Sequence, residues 1–507
     1  MIASSRVLSL SQLLVALASA SVLALAQTPA GFSALALVAL APWVAVMRAS
    51  SAAKALAFGS LSGTVYGMWV APWLPEALRA LGSSASTSLA GLVLTAAWAK
   101  AWMFGMTALV VSLVARRSRW LVVPVATLAM ALAETVASGT AWGVPWALLG
   151  HSQLEVVGVA QLAVVGGVPL ISALLMGTNV AIGLHRWQST AALVSAWAGL
   201  VVVGLPLAEA VRPAPHGEPR DLLLVQPDLP RGERWGDDLQ AANLTRIASF
   251  VSTLDLQRDP PDALIFPENL LTSPLDTRPA LMRDFRRWVD HLAIPVVTGM
   301  ALAAESDSTY RSAVVWFEPR QGIIDRLDKV RAVPVVESAR TLPGQSILGA
   351  LFGEAAAWPK VEEADRTAPG PLRGGLTVTP VLCYEALFPG LAAERRSPDS
   401  VAILNLADDG WVAGDVATQQ LTAFASFRAI EQRLPLIRVA HGGLSVVVDA
   451  FGRRVEELPL DEYAIRRIEV RAQPVPSLRE KATILAVPLG AGFVVWWLAG
   501  LLVRYRS

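Results

Sequence analysis

Between residues 1 and 210 the chain returns again and again to long apolar runs, and no other feature constrains its fold as strongly. A helix needs about 20 predominantly apolar residues to cross a hydrocarbon core roughly 30 Å thick. Seven runs fit that length, at about 8–26, 31–47, 55–72, 88–115, 120–138, 157–184 and 190–208, with short charged or Pro/Gly-containing breaks between them. An eighth, ATILAVPLGAGFVVWWLAGLLV, follows at about 482–503. Residues 211–480 instead carry nearly all of the acidic side chains and read as a water-soluble domain. Composition agrees with such a hybrid: 54% hydrophobic with 16% charged is too apolar for a soluble protein and too charged for a purely embedded one. The expected organisation is a seven-span bundle at 1–210, a soluble domain at 211–480, and an eighth helix with a short tail at 481–507.

Positive charge orients the spans. With the N-terminus in the cytoplasm, Arg6, Arg48, Lys54, Arg116, Arg117, Arg119, Arg186, Arg504 and Arg506 all fall inside, and Arg79 is the one strong base in the short outer loops. Seven spans then deliver residues 211–480 to the outer face. The first span, with Ala-Leu-Ala before Gln27, also has the pattern of a signal peptide; an uncleaved helix is expected because further spans follow. Lys100 and Glu134 lie inside spans, where charge is costly and often functional, yet snorkelling or pairing within the bundle explains them equally well. Trp73, Trp142, Trp146 and His151 fall near outer span ends, where rings anchor at the interface. A net charge of +1 supplies no field for a nucleic-acid partner.

In the soluble part, short Val/Ile/Leu-rich runs (DLLLVQP, DALIFPEN, IPVVTGMA, SAVVWFEP, LTVTPVLCYE, VAILNLA, PLIRVA, LSVVVDAFG) alternate with three stretches of helical spacing. This is the pattern of a layered α/β domain with buried strands. Reactive residues in such sheets gather at strand ends. Glu268 follows ALIFP, Lys329 follows IIDRLD, and Cys383, the only cysteine in 507 residues, follows LTVTPVL. A single cysteine allows no internal disulfide and no cysteine-based zinc or iron–sulfur site. A thiol needs a base or a nearby cation to act as nucleophile, which Glu268 and Lys329 would provide. Spacing alone leaves two readings open: a catalytic trio, or scattered charges around an inert buried thiol.

PEN at 267–269, LDKVRAVPVVE at 327–337 and CYEALFP at 383–389 resemble the Glu, Lys and Cys signatures of the nitrilase (carbon–nitrogen hydrolase) superfamily. With spans on both sides, and with WGVPWALLGHSQ (142–153), GVAQLAVVGGVPLIS (158–172), VQPDLPRGERW (225–235), NLADDGW (405–411) and RAIEQRLPLIR (428–438) in order, nearly the whole chain is similar to the apolipoprotein N-acyltransferase family.

That resemblance implies an αββα sandwich on the outer face of the membrane bundle. It implies Glu268 as general base, Lys329 as oxyanion-stabilising lysine, and Cys383 as the nucleophile that becomes a thioester. Glu337 matches a supporting glutamate, Tyr384 and Glu385 match the residues after the nucleophile, and Trp235 matches a tryptophan near the lipid entrance. Segment 347–358 corresponds to a mobile hydrophobic loop in which Leu351, Phe352 and Trp358 would touch lipid tails; an ordinary packed helix is the alternative there. The implied reaction moves an acyl chain from a membrane phospholipid to the N-terminal amine of a diacylated lipoprotein. No metal or organic cofactor is called for, and a monomer in the bacterial inner membrane with a periplasmic catalytic domain is expected. A membrane-tethered amidase and a catalytically silent lipoprotein-binding protein are the rival readings. Departures from the family pattern are Leu327 for Tyr, Val335-Val336 for Phe-Gly, Asp408 and Val412 in NLADDGWV, and His441-Gly442 where two Asn are usual.

Overall fold

The computed structural model describes residues 2–505 except 29–30, 119, 141, 228, 230–238, 307–308, 335, 339–359, 365–371, 413 and 461. The chain divides into two compact units.

The first unit comprises Met1–Pro75, Leu89–Arg212 and Pro476–Ser507 and is helical. Five helices among the described residues are long and apolar enough to cross a membrane: Ala85–Arg117, Val122–Gly139, Ala163–Gly183, Trp187–Val211 and Leu478–Ala499. Shorter apolar stretches form Ser9–Leu25 and Ser33–Ala49, and a further helix spans Ala52–Val70. That last helix packs through a stripe of glycines. A Cβ at Gly63 would lie 2.4 Å from Lys100 O, and one at Gly59 would lie 2.7 Å from Phe104 O. Small residues four apart let two backbones approach closely in lipid, where packing replaces the hydrophobic effect as the force between helices.

The expected span 157–184 is not continuous. A short helix, Val157–Ala160, precedes Ala163–Gly183, inside which Gly166 and Gly167 leave helical geometry. Nor does Lys100 snorkel. It is 2% exposed, and its Nζ donates to Ala147 O (3.3 Å), which also accepts from Tyr66 Oη (2.8 Å). Leu149 N donates to Glu134 Oε1 (2.8 Å), Leu148 N to His151 Nδ1 (3.0 Å), and Gly150 N to Ser172 Oγ (2.8 Å). His151 is therefore buried, its Nδ1 capping the start of the 3₁₀ helix Leu149–Gln153. Irregular backbone inside an apolar bundle must find partners within the protein, and these side chains supply them.

The second unit comprises Glu76–Ser88 and Pro213–Val475. Its strands are β1 (His216–Gln226), β2 (Ala263–Ile265), β3 (Val296–Ala303), β4 (Thr309–Glu318), β5 (Gly322–Asp328), β6 (Lys360–Val361), β7 (Leu372–Arg373), β8 (Thr377–Leu382), β9 (Ser400–Asp408), β10 (Leu436–His441), β11 (Val446–Val448), β12 (Arg454–Glu457) and β13 (Ala464–Ala472). They build two sheets, ordered β13-β1-β2-β3-β4-β5, with β6 paired to β4, and β12-β11-β10-β9-β8-β7.

Strand alternation sets the layers. Leu222, Leu224, Ile265, Val297, Val314 and Trp316 of the first sheet pack against Val378, Leu382, Leu404, Leu406, Ile437 and Val439 of the second. The opposite face of the first sheet, through Leu223, Val225, Leu264 and Val296, packs with Leu244, Ile247 and Val251 of helix Gln240–Ser252 and with Phe285 and Val289 of helix Pro279–Leu292. Ala425 and Ala429 of helix Asp415–Gln432 pack with Ile403, Leu436 and Val446 on the outer face of the second sheet. The domain is thus a four-layer αββα sandwich, the α/β class the sequence suggests.

Candidate active site

β2 runs parallel to β3. β4 and β5 each reverse direction, so β5 ends on the same edge of the sheet as β2. In the second sheet β8, β9 and β10 run parallel. Glu268 lies three residues beyond β2, Lys329 directly follows β5, and Cys383 directly follows β8. All three stand just past C-terminal strand ends, where the backbone leaves the ladder and side chains can converge.

They do converge, and almost no water reaches them: Lys329 is 0% exposed, Glu268 1% and Cys383 3%. Lys329 Nζ lies 3.0 Å from Glu268 Oε1 and 2.9 Å from Glu337 Oε2. The ammonium is thereby held between two carboxylates. Ser312 Oγ donates to Glu268 Oε1 (3.0 Å), whereas Glu268 Oε2 is buried without a hydrogen-bond partner among the described residues. Glu337 is fixed in turn by Val333 N, which donates to its Oε2 (2.8 Å).

Two local features seat Glu268. Thr298 Oγ1 donates to Pro267 O (3.0 Å), holding the turn before Glu268. Gly299 lets β3 pass beneath it, since a Cβ there would stand 2.5 Å from Glu268 Cα. The next residue, Asn269, has φ +54°, and its Nδ2 donates to Asp408 Oδ2 (3.1 Å). That bond ties the turn after the base to the end of β9.

Cys383 opens a 3₁₀ turn, Cys383–Leu387, with φ +44°. Non-glycine residues in that region are strained and need surrounding bonds to persist. Glu385 provides several. Its Oε2 accepts from Leu382 N (2.9 Å) and Arg395 Nη1 (2.6 Å), and its Oε1 accepts from Arg395 Nη2 (3.1 Å) and from Val330 N (2.8 Å), the residue after Lys329. One carboxylate thus ties the cysteine turn to the lysine turn. Below the thiol, Asn405 Nδ2 donates to Val381 O (3.0 Å) and Cys383 O (3.3 Å). Arg438 bonds Asn405 Oδ1 through Nη1 and Asp409 Oδ2 through Nη2, the latter at 2.5 Å. Tyr384 is buried, edge-on to Phe388 at 5.2 Å between ring centroids, and its hydroxyl has no hydrogen-bond partner among the described residues.

Electrostatics follow from this packing. Burial pushes the Glu268 carboxyl up to about 7, against the pull of Lys329 and with help from Glu337 and Asp408. Burial would depress Lys329, but the Glu268 and Glu337 carboxylates outweigh it and hold the ammonium well above its usual range. Burial, with Glu268 beside it, pushes the Cys383 thiol well up despite Lys329. Although burial opposes ionisation of Glu385, Arg395 and two backbone N–H donors keep its carboxyl below the usual value. The arrangement couples a neutral thiol to a base of near-neutral affinity beside a permanent cation, which is the equipment for covalent acyl chemistry.

Of the residues singled out by sequence, Glu268, Lys329, Glu337, Cys383, Tyr384 and Glu385 lie in this one site; Trp235, Leu351, Phe352 and Trp358 lie outside the described residues. Sequence reasoning assigned no role to Ser312, Asn405, Asp409, Arg395 or Arg438. A polar residue inside a largely apolar strand was the available signal for Ser312, Asn405 and Arg438. Among the described residues no group of three or more His, Cys, Asp and Glu is arranged to hold a metal ion.

A Glu–Lys–Cys constellation at the strand ends of an αββα sandwich defines a carbon–nitrogen hydrolase-type domain, here in a chain with a separate apolar helical unit. The family model described as carbon-nitrogen hydrolase matches residues 240–477, and that described as apolipoprotein N-acyltransferase N-terminal domain matches residues 19–181. A curated apolipoprotein N-acyltransferase of Brucella melitensis is 27% identical over 354 residues, 66% of this chain and 64% of the relative's own length. Another, of Azotobacter vinelandii, is 29% identical over 455 residues, covering 86% of this chain and 84% of that one. Among solved structures, an amidase from Nesterenkonia sp. is similar at 16% identity and TM-score 0.37, over 52% of this chain and 94% of that one. The chain thus carries both of the domains that these models describe, and the curated relatives it is similar to are apolipoprotein N-acyltransferases.

Proposed function

We propose that the protein transfers an acyl chain from a membrane phospholipid to the N-terminal amine of a diacylglyceryl-cysteine lipoprotein, through a thioester on Cys383. The observation that carries this reading is Lys329 held between Glu268 and Glu337, beside a thiol kept neutral by burial. The relatives' names point to the same acceptor class.

Glu268 takes the Cys383 proton as Sγ attacks the ester carbonyl, and Lys329 Nζ stabilises the developing oxyanion. The carbonyl re-forms, the C–O bond breaks, and Glu268 returns the proton to the departing lysophospholipid hydroxyl. A neutral acceptor amine then attacks the thioester and passes a proton through Glu268 to the leaving thiol. Glu337 keeps Lys329 extended toward the reaction, and Glu385 keeps the nucleophile turn in its left-handed conformation. Water must stay out between the two steps, which suits a site this buried. In this reading the chain crosses the inner membrane eight times, the catalytic domain faces the periplasm, and the enzyme acts as a monomer.

The test is direct. Folded protein given phospholipid without acceptor should gain one acyl mass on Cys383, removable by hydroxylamine and absent from Cys383→Ala. Adding a diacylglyceryl-cysteine peptide should discharge it into an N-acylated product. Free fatty acid as the sole product would favour a hydrolase, and no adduct in any lipid would sink the catalytic reading.

A further inference from the structure

The two oxygens of Glu268 have different surroundings. Oε1 receives two donors, Lys329 Nζ (3.0 Å) and Ser312 Oγ (3.0 Å). Oε2 receives none among the described residues, although it is buried. Ser312 also accepts at its main-chain oxygen from Lys329 N (2.7 Å), continuing the β4–β5 ladder to the residue that carries the ammonium. One residue of β4 therefore registers both the base and the cation, and it is itself 2% exposed.

We propose that Ser312 is a positioning residue that gives the Glu268 oxygens separate duties: Oε1 is pinned by Ser312 and Lys329, and Oε2 is left as the lone pair that takes the thiol proton. The inference rests on the reading of Glu268 as general base. Its physical content is simple. A carboxylate with both oxygens free rotates about its terminal torsion and shares charge over two positions, whereas two donors on one oxygen fix the plane and aim the other. A donor to the ionised form also lowers the carboxyl's proton affinity. On this proposal Ser312 adds to the pull of Lys329 against the burial that lifts Glu268 to about 7.

The charged and titratable groups facing Glu268 are Lys329 after β5, Glu337 in the following turn, Asp408 at the end of β9, Cys383 after β8 and Tyr310 on β4. All are shared by wild type and a Ser312 variant, so a difference between the two reports on the hydroxyl. Alkylation of Cys383 by iodoacetamide in the full-length protein reads the base without lipid or acceptor. In wild type the rate should rise through pH about 7, and Glu268→Gln should lack that rise.

Ser312→Ala should move the midpoint upward by about one pH unit, the effect of losing one donor to a carboxylate, with the alkaline plateau within about threefold of wild type. Ser312→Thr, which keeps the hydroxyl, should restore the wild-type midpoint. Should the alanine variant not fold, Ser312→Val, which has the shape of the threonine variant without its hydroxyl, should shift the midpoint the same way. An unmoved midpoint, or a rate loss equal at every pH, overturns the proposal. A shifted midpoint in a protein that never forms an acyl adduct would support it while sinking the acyltransferase reading.

Discussion

At the scale of single residues the site is defined by charge placed where water is scarce. Glu385 and Arg395 are a fully buried, bidentate pair. Removing one partner leaves an uncompensated charge, so Arg395→Ala should cost about 3–5 kcal/mol in chemical denaturation. The same pair makes stability depend on acid. Because the folded carboxyl of Glu385 lies below its ordinary value of 4.5, its contribution is complete above that value and is lost as pH falls through the folded one. Glu385→Gln should therefore show a shallower acid unfolding limb than wild type. A limb of unchanged steepness would show that Glu385 is not the group titrating. Glu268 runs the other way: with its carboxyl near 7 it is half-protonated at neutrality, so under the proposed mechanism acyl transfer, measured in folded protein, should slow below pH 7.

At the scale of elements, chemistry depends on how closely strands approach. Gly299 lies where β3 passes the base, and its side-chain position is already filled by Glu268 Cα. Gly299→Ala should lose about 1–3 kcal/mol of stability through overpacking and also slow Cys383 alkylation, because backbone rather than a flexible tip must move. Gly490→Ala in the last helix, with nothing within 4 Å, should leave both unchanged. Equal effects at the two sites would remove the steric argument. The strand ends near the nucleophile were readable in sequence because buried strands are continuous apolar runs that stop at a polar residue. β12 and β13 were not, since each carries exposed charges such as Arg454 and Arg466. Their pairing comes from neighbours distant in the chain, as when β13 aligns with β1.

At the scale of the whole molecule the arginine asymmetry predicts one orientation. A reporter that matures only outside the cytoplasm should be active when fused after residue 210 and silent after Ser507, and the reverse pattern would overturn the periplasmic assignment. The five long apolar helices were plain from composition, because a run of apolar residues needs no partner to be recognised. The turn at 147–150 was not. It is held by Tyr66, Lys100, Glu134 and Ser172, drawn from four other helices, and by His151 of the 3₁₀ helix that it opens.

By itself, then, the sequence determined the hybrid character of the chain, the α/β layering of residues 211–480, and the three side-chain types able to make a thiol reactive. The first two follow from composition and period, which act locally along the chain; the third came from short motifs that resemble the carbon–nitrogen hydrolases. The tertiary structure decided which atoms face one another. It chose Glu268 Oε1 for Lys329 and Ser312, set Arg438 and Asn405 beneath the Cys383 carbonyl, and let one Glu385 join the ends of β5 and β8. Those pairings span tens of residues, from 22 between Cys383 and Asn405 to 61 between Glu268 and Lys329. The register of two sheets packed face to face brings them together, and no local pattern encodes it.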